Sequence, residues 1–438
     1  MVALFTILIG LVVMLSLIVW LKLNAFLALF ITALVVGLAG QLTIANTLSS
    51  IQTGVGSTLG SIAVVISFGA ILGKLLESSG AAYRITASLI NRFGAKNLSN
   101  ILIVTGFLIG IPMIYNASFL VLIPLLYSFS IAAKQPLLPL GISMCSSLSV
   151  AHALLPPHPG ITSVAAIYKA DLNVTLLYGL VLAVPAILFS GYFFARFFQR
   201  SVATIPKHLY NKDSVSQQNL PSLSSSIIIA LLPVVLMLVS VITKSFFPAG
   251  STIAQVVELV SNPSVALLLA VLAGYYFLGV RRGKTMKDLG SLTTLGVTSI
   301  GMILMIIAGG GAFKQILIDT GLSKQMGDYT QQFALSPILL AWVTAALLRF
   351  ALGSATVASI TAAGIILPLV NTSKSNPQLM ALATASGSLM FSHVNDIGFW
   401  MFKEYFNLNL KQTFLSWTVM ESIVAIVGLA GCLILNYF

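Results

Sequence analysis

The chain has 438 residues, of which 58% are hydrophobic and only 7% charged, with a formal net charge of +12. A soluble domain carries about 25% charged residues, so this composition excludes a water-exposed globular surface and calls for lipid as solvent. The basic balance fits the Lys/Arg bias of cytoplasmic loops. No basic stripe interleaved with aromatics accompanies it, so a nucleic-acid partner is not expected.

Runs of about 20 apolar residues, the length that crosses a bilayer core of roughly 30 Å, predict spans near 3–21, 24–43, 58–77, 138–155, 173–198, 226–247, 263–280, 292–312, 377–395 and 414–437. The first run, Ala3–Trp20, has no positive leader and no small-residue cleavage site, and reads as a retained helix. Two further runs, 101–131 and 336–370, are interrupted by Asn116 and by Gly353–Thr356. Each is long enough to enter the membrane and return, which predicts two re-entrant hairpins; two full spans apiece is the competing reading. Two of the spans also break: 138–160 at His152–Gly160, where Pro156, Pro157 and Pro159 fall together, and 377–398 at His393–Gly398.

The long polar stretch Ser201–Ser225, rich in Ser and holding Pro206 and Pro221, reads as a cytoplasmic linker over 199–225. It divides the chain into an N-terminal half, 1–198, and a C-terminal half, 226–438. Placing this linker and the basic loop Arg281–Asp288 inside puts both termini outside. The expected fold is an all-α polytopic membrane protein of about ten spans plus the hairpins.

The halves resemble each other. Gly69–Gly80 (GAILGKLLESSG) matches Gly310–Gly321 (GGAFKQILIDTG) at an offset of 241, and the same offset carries His152 onto His393. Asn116–Ser118 and Ser354–Thr356 correspond at 238, Pro124 and Pro368 at 244. Residues 81–98, after the first match, hold Arg84, Arg92 and Lys96 without an acid; residues 313–330, which overlap the end of the second match, balance Lys314 and Lys324 with Asp319 and Asp328. That charge pattern belongs to an inverted-topology repeat, and interrupted helices in matching places point to a transporter's midplane site.

Interrupted helices leave N–H and C=O groups that lipid tolerates only against protein or water. The four breaks therefore predict a shared polar cavity, with Asn116, Ser118, His152, His158, Gly353, Ser354, Thr356, His393 and Asn395 as its candidate substrate contacts. Half-helix N-termini suit an anion such as a carboxylate, and hydroxyls and amides suit a polyol. Asp396 is an ionisable group in an apolar run, functional by default; a cap on the helix beginning at Ile397 is the plainer alternative. Arg349, five residues before Ser354 in the second tip, either holds a carboxylate or pairs with a neighbour. Glu421 reads as interfacial. Cys145 and Cys432 sit in apolar segments, no Cys/His/Glu set has metal spacing, and neither a Ser/Cys–His motif nor HExxH is present, which argues against a metal site and against an enzyme. The run Gly309–Phe313 lacks a following Lys-Ser/Thr and suits close helix packing rather than phosphate.

Five ordered motifs, GAILGKLLESSGAA (69–82), HALLPPHPG (152–160), GGGAFKQILIDTG (309–321), RFALGSATVASITAAG (349–364) and SHVNDIGFWMFKEYFNL (392–408), together resemble the gluconate:proton symporter (gluconate permease) family, over about residues 20–438. The resemblance implies the ion-transporter superfamily fold, a homodimer with a scaffold and a moving transport domain in an elevator-like cycle, and import of an aldonate anion across the plasma (inner) membrane with a proton and no other cofactor. A D-serine or other small hydroxy-carboxylate carrier, with sodium as a possible coupling ion, is the alternative. The family commonly carries an acid after the aromatic at the first hairpin tip, where this chain has Asn116. If that acid carries the proton, this chain either has lost it or uses Asp396, His152 or His393 in its place.

Overall fold

The computed structural model describes residues 9–10, 12–14, 16–94, 97–199, 203, 220–243, 251–321, 336–372, 375–394 and 396–437. The start of the first expected span, most of the linker, Lys324, Asp328 and Asn395 lie outside them. Among the described residues all regular structure is helical. The first half runs α1 (Ala25–Ala39), α2 (Ile44–Ser78), α3 (Ala81–Phe93), α4 (Leu98–Gly110), α5 (Tyr115–Ala133), α6 (Leu137–Leu154), α7 (Pro159–Ile167) and α8 (Leu172–Ile187). The second runs α9 (Leu223–Thr243), α10 (Thr252–Ser261), α11 (Pro263–Gly274), α12 (Met286–Asp319), α13 (Pro337–Leu352), α14 (Ala355–Thr372), α15 (Pro377–Gly387), α16 (Ile397–Tyr405), α17 (Leu410–Thr413) and α18 (Val419–Tyr437).

Seven helical stretches among the described residues are long and apolar enough to cross a membrane: 44–78, 137–167, 172–198, 223–240, 263–282, 286–319 and 410–437. Each contains one of the ten expected spans or most of it. The other three differ: 3–21 is only partly described, 24–43 shrinks to the 15 residues of α1, and 377–395 is the 11-residue α15 followed by a turn. The helix expected over 58–77 begins earlier, at Ile44, although its first half is rich in Ser, Thr, Asn and Gly. Thr43 caps it by accepting from Asn46 N, and the hydroxyls of Thr47, Ser57 and Ser61 bond back to carbonyls one turn earlier, so polar side chains are satisfied without ending the helix.

Helices α2 and α12 pack along each other, and their glycines set the direction. A Cβ on Gly54 would stand 2.3 Å from Gly311 O, and one on Gly296 3.0 Å from Ile71 Cα. Residue numbers rise on one helix as they fall on the other, so the pair is antiparallel. The Gly309–Gly311 run meets three neighbours in turn, Leu29 of α1, Ile360 of α14 and Gly54 of α2, so backbone contact is what the three glycines supply. Helix α6 lies at the centre. In the stretch 137–167 the apolar window is 94% buried, against 28% for α12. Its serines are paired inside the protein: Ser143 with Ser99 and Ser146 with Ser190, both at 2.6 Å.

Candidate functional site

Four helix breaks surround one cavity. Helix α4 ends at Gly110 and the chain restarts as α5 at Tyr115, behind Ile114, an apolar residue that offers no capping side chain. Ser118 does not face the opening; it is buried, and its hydroxyl turns back to the carbonyls of Met113 and Ile114. Helix α6 ends at Leu154, where Pro156, Pro157 and Pro159 remove N–H donors and stop the ladder. His158 Nε2 donates to Gly110 O at 2.6 Å, since a carbonyl can only accept. Its Nδ1 is then an acceptor, and His152 Nδ1, 3.2 Å away, donates to it. This chain of bonds fixes the tautomer of His152 and leaves its Nε2 as an acceptor.

In the second half α13 ends at Gly353, whose φ of +71° is the left-handed conformation that favours glycine, and its N–H bonds Arg349 O. Ser354 then caps α14 through Val357 N. One turn back, Arg349 is 2% exposed; one nitrogen, Nη2, lies 2.5 Å from Asp396 Oδ2, and Nε and Nη1 have no partner among the described residues. Asp396 also caps α16 by accepting from Gly398 N at 2.9 Å, and it takes the Ser392 hydroxyl. The cap expected as the plainer reading of Asp396 is present, and the same carboxylate pairs with Arg349. Ser392 is held in turn by Trp417 Nε1 at 2.8 Å. His393 Nε2 meets Phe350 O at 3.1 Å, and its ring stands edge-on to Phe350 at 4.8 Å.

The cavity between these breaks has a volume of about 270 Å³ and is lined by Tyr115, Asn116, Ser149, His152, Arg349, Leu352, Gly353, Ser354, Ala355, Thr356, Leu389, Asp396, Ile397, Gly398, Trp417 and Glu421. Of the expected contacts it therefore gathers Asn116, His152, Gly353, Ser354, Thr356 and Asp396. Ser118, His158 and His393 are not among its lining residues, and Asn395 lies outside the described residues. Its size sits just below the roughly 300–1,000 Å³ of pockets for drug-sized ligands, which suits a small metabolite. A larger cleft of about 490 Å³ opens among Asn97, Asn100, Gln135, Tyr192 and Arg196. Arg196 is exposed there and stacks on Tyr192, and none of the four breaks reaches that cleft.

Sequence reasoning missed the cavity role of Trp417 and Glu421. Glu421 is 1% exposed, and its carboxylate accepts from the Ser149 hydroxyl at 2.5 Å. The helix that carries it begins at Leu410, with π-helical turns over Phe414–Thr418 joining α17 to α18. Eleven residues at 1.5 Å each place Glu421 about 16 Å along this stretch. The signal available in the sequence was a lone acid inside the apolar run of 414–437.

An all-helical chain whose broken helices enclose a buried, charge-bearing cavity is built as a multi-pass membrane transporter, and its relatives are transporters rather than enzymes. It belongs to the GntP permease family, matching the description "GntP family permease" over residues 2–438. It is 43% identical to a high-affinity gluconate transporter of Escherichia coli K12 over 98% of either chain. It is 42% identical to the Gnt-II system L-idonate transporter of the same organism, over 98% of this chain and 97% of that one. A gluconate permease of Bacillus subtilis 168 is 39% identical over 98% of each. Two solved structures share the fold: the Alcanivorax borkumensis YdaH transporter, with a TM-score of 0.64 at 15% identity over 97% of both chains, and Neisseria gonorrhoeae MtrF, with 0.66 at 13% over 94% of both.

Proposed function

We propose that this permease imports gluconate or a closely related sugar acid across the plasma membrane together with a proton, by alternating access. The observation that carries the reading is Arg349: a nearly dry guanidinium on the cavity wall with two nitrogens, Nε and Nη1, unpartnered among the described residues. A buried donor left unsatisfied costs about 1–3 kcal/mol, and a substrate carboxylate would remove that cost. The N-termini of α5 and α14 both reach the cavity at Asn116 and Thr356 and add partial positive charge. Asn116, Ser354, Thr356 and His152 Nε2 offer the mixed donors and acceptors that a chain of hydroxyls needs. Gly353 lets the second tip come close, Asp396 orients Arg349, and Ser118 and His158 brace the first tip and the first break from behind. The names of the relatives, gluconate and L-idonate carriers, support a sugar acid over D-serine.

Alternating access follows from an inverted repeat of 1–198 and 226–438, joined by the cytoplasmic linker 199–225, with hairpins at 101–131 and 336–370. The antiparallel pairing of α2 with α12 supports it. Applying the 241-residue offset to the contact of Gly54 with Gly311 exchanges it for one between residues 295 and 70, and Gly296 indeed meets Ala70 and Ile71. A pseudo-twofold axis between two copies of one unit produces that exchange. The reading further includes a homodimer working as an elevator, with both termini extracytoplasmic.

The test is uptake of labelled gluconate into liposomes holding the purified protein. An imposed proton gradient, inside alkaline, is expected to drive accumulation that a protonophore abolishes, with L-idonate competing and D-serine not. Equal uptake with and without the gradient would describe a channel, and preference for D-serine would replace the substrate.

A further inference from the structure

We infer that Glu421 is the group that binds and releases the coupled proton, an assignment that rests on the sugar-acid symport reading. Among the described residues three formally charged side chains line the cavity: Arg349, Asp396 and Glu421. The first two cancel as an ion pair, and Asp396 is further held by Ser392 and by the Gly398 N–H that it caps. Protonating Asp396 would release Arg349 and uncap α16 together, so it is poorly placed to titrate in every cycle. His152 faces His158, whose other nitrogen is spent on Gly110 O. Tyr115 stands edge-on to His152 and Trp417, with Cys145 behind it.

Glu421 differs from all of these. It is buried on α18 in the second half, and its hydrogen-bond partner is the neutral hydroxyl of Ser149 on α6 in the first half. Among the described residues no Lys or Arg lies within ion-pairing distance of it. Holding a charge there is costly, and the charge it holds decides what the cavity attracts. With Glu421 ionised, the three charges sum to −1 and repel an aldonate. With Glu421 protonated they sum to zero, and no net negative charge opposes an incoming carboxylate at Arg349. A proton from the outer solution therefore tightens anion binding, and the bound anion tightens proton binding by the same factor, because linkage is reciprocal. On the cytoplasmic side the anion leaves, the carboxyl O–H breaks, and the proton passes to water. One proton moves with one monoanion, so no net charge crosses.

Glu421→Gln keeps the size and the hydrogen bond to Ser149 but cannot titrate. In liposomes it is expected to retain exchange of labelled for unlabelled gluconate while losing gradient-driven accumulation by about tenfold or more, within the range of coupling between linked sites. Glu421→Asp is expected to recover part of it. A second readout needs no transport: in weakly buffered detergent solution with a pH-indicator dye, wild type takes up a proton when gluconate binds, and Glu421→Gln takes up none. Accumulation at the wild-type level in Glu421→Gln, or undiminished proton uptake on binding, overturns the assignment while leaving the substrate reading intact. Wild type that neither binds nor accumulates gluconate overturns the substrate reading itself.

Discussion

The helix breaks before and after residue 200 are filled with opposite chemistry. In the first half the break is closed by neutral groups. His158 satisfies the carbonyl of Gly110 at the end of α4, and His152 leans on His158, so an imidazole answers the orphan C=O. In the second half it is closed by charge: Asp396 satisfies an orphan N–H at the start of α16 and pairs with Arg349. The cavity is thus asymmetric, with a neutral polar wall on one side and a charge-bearing wall on the other. Under the proposed repeat, the backbone recurs without its side chains recurring, because only the cavity, and not the helix ladder, reads them.

The sharpest way to break this contrast is to remove the charge from the second half. Arg349→Ala strands the partly buried carboxylate of Asp396 without its cation, at a cost of up to about 3–5 kcal/mol for breaking one partner of a buried pair. The thermal midpoint in detergent is expected to fall, and gluconate uptake to drop below detection. The double variant Arg349→Ala/Asp396→Ala is expected to regain about 0.5–3 kcal/mol relative to the sum of the singles and still not transport. Recovery of transport by the double variant would mean that the pair is structural and that the carboxylate binds elsewhere. Arg349→Lys keeps a charge but not the planar fork, so it is expected to fold and to bind gluconate more weakly.

Next in size is the reverse change, a charge placed in the neutral half. Asn116→Asp faces the same cavity from the α5 tip. At an effective dielectric of 20, unit charges some 7 Å apart interact by about 2 kcal/mol, a roughly thirtyfold rise in KM for a monoanion. Asn116→Ala serves as control and loses one hydrogen bond, about 1 kcal/mol. Equal KM values for the two variants would show that the first tip does not sense the substrate's charge. Smaller still is His158→Ala, which orphans Gly110 O at about 1–3 kcal/mol of stability. It is expected to raise KM a few-fold through a loosened His152 and to leave the accumulation ratio unchanged. A lost accumulation ratio would move proton coupling from Glu421 to the histidine pair.

How far the sequence foretold this site depends on what each residue answers to. The apolar runs, the prolines after Leu155 and the glycine at 353 act on their own backbone, so the breaks and the convergence of Asn116, His152, Gly353–Thr356 and Asp396 were readable without a structure. Side-chain direction was not, because distant partners decide it. Ser118 and His158 turn to backbone carbonyls, and Arg349 finds Asp396 forty-seven residues on. The depth of Glu421 depends on the helix starting at Leu410, where Asn409 and Gln412 form a capping box in a polar stretch that hydropathy discounts. The polar first half of α2 escaped notice for a similar reason: its hydroxyls are satisfied within their own helix.

The smallest expected effect falls on the residue that the repeat singled out most clearly. His393 stands at the 241-residue offset from His152, yet its ring lies against Phe350 and its Nε2 faces Phe350 O, away from the cavity lining. Substitutions away from a site's machinery usually stay within about 0.5 kcal/mol, so His393→Ala is expected to change gluconate uptake by less than about twofold. The two histidines would then share a position in the repeat and not a task, which is the contrast between the halves in its simplest form. A tenfold loss in His393→Ala at unchanged stability would mean that His393 enters the cavity in another state of the cycle, and the neutral and charged walls would have to be redrawn as two histidine-bearing walls that exchange roles as the carrier turns over.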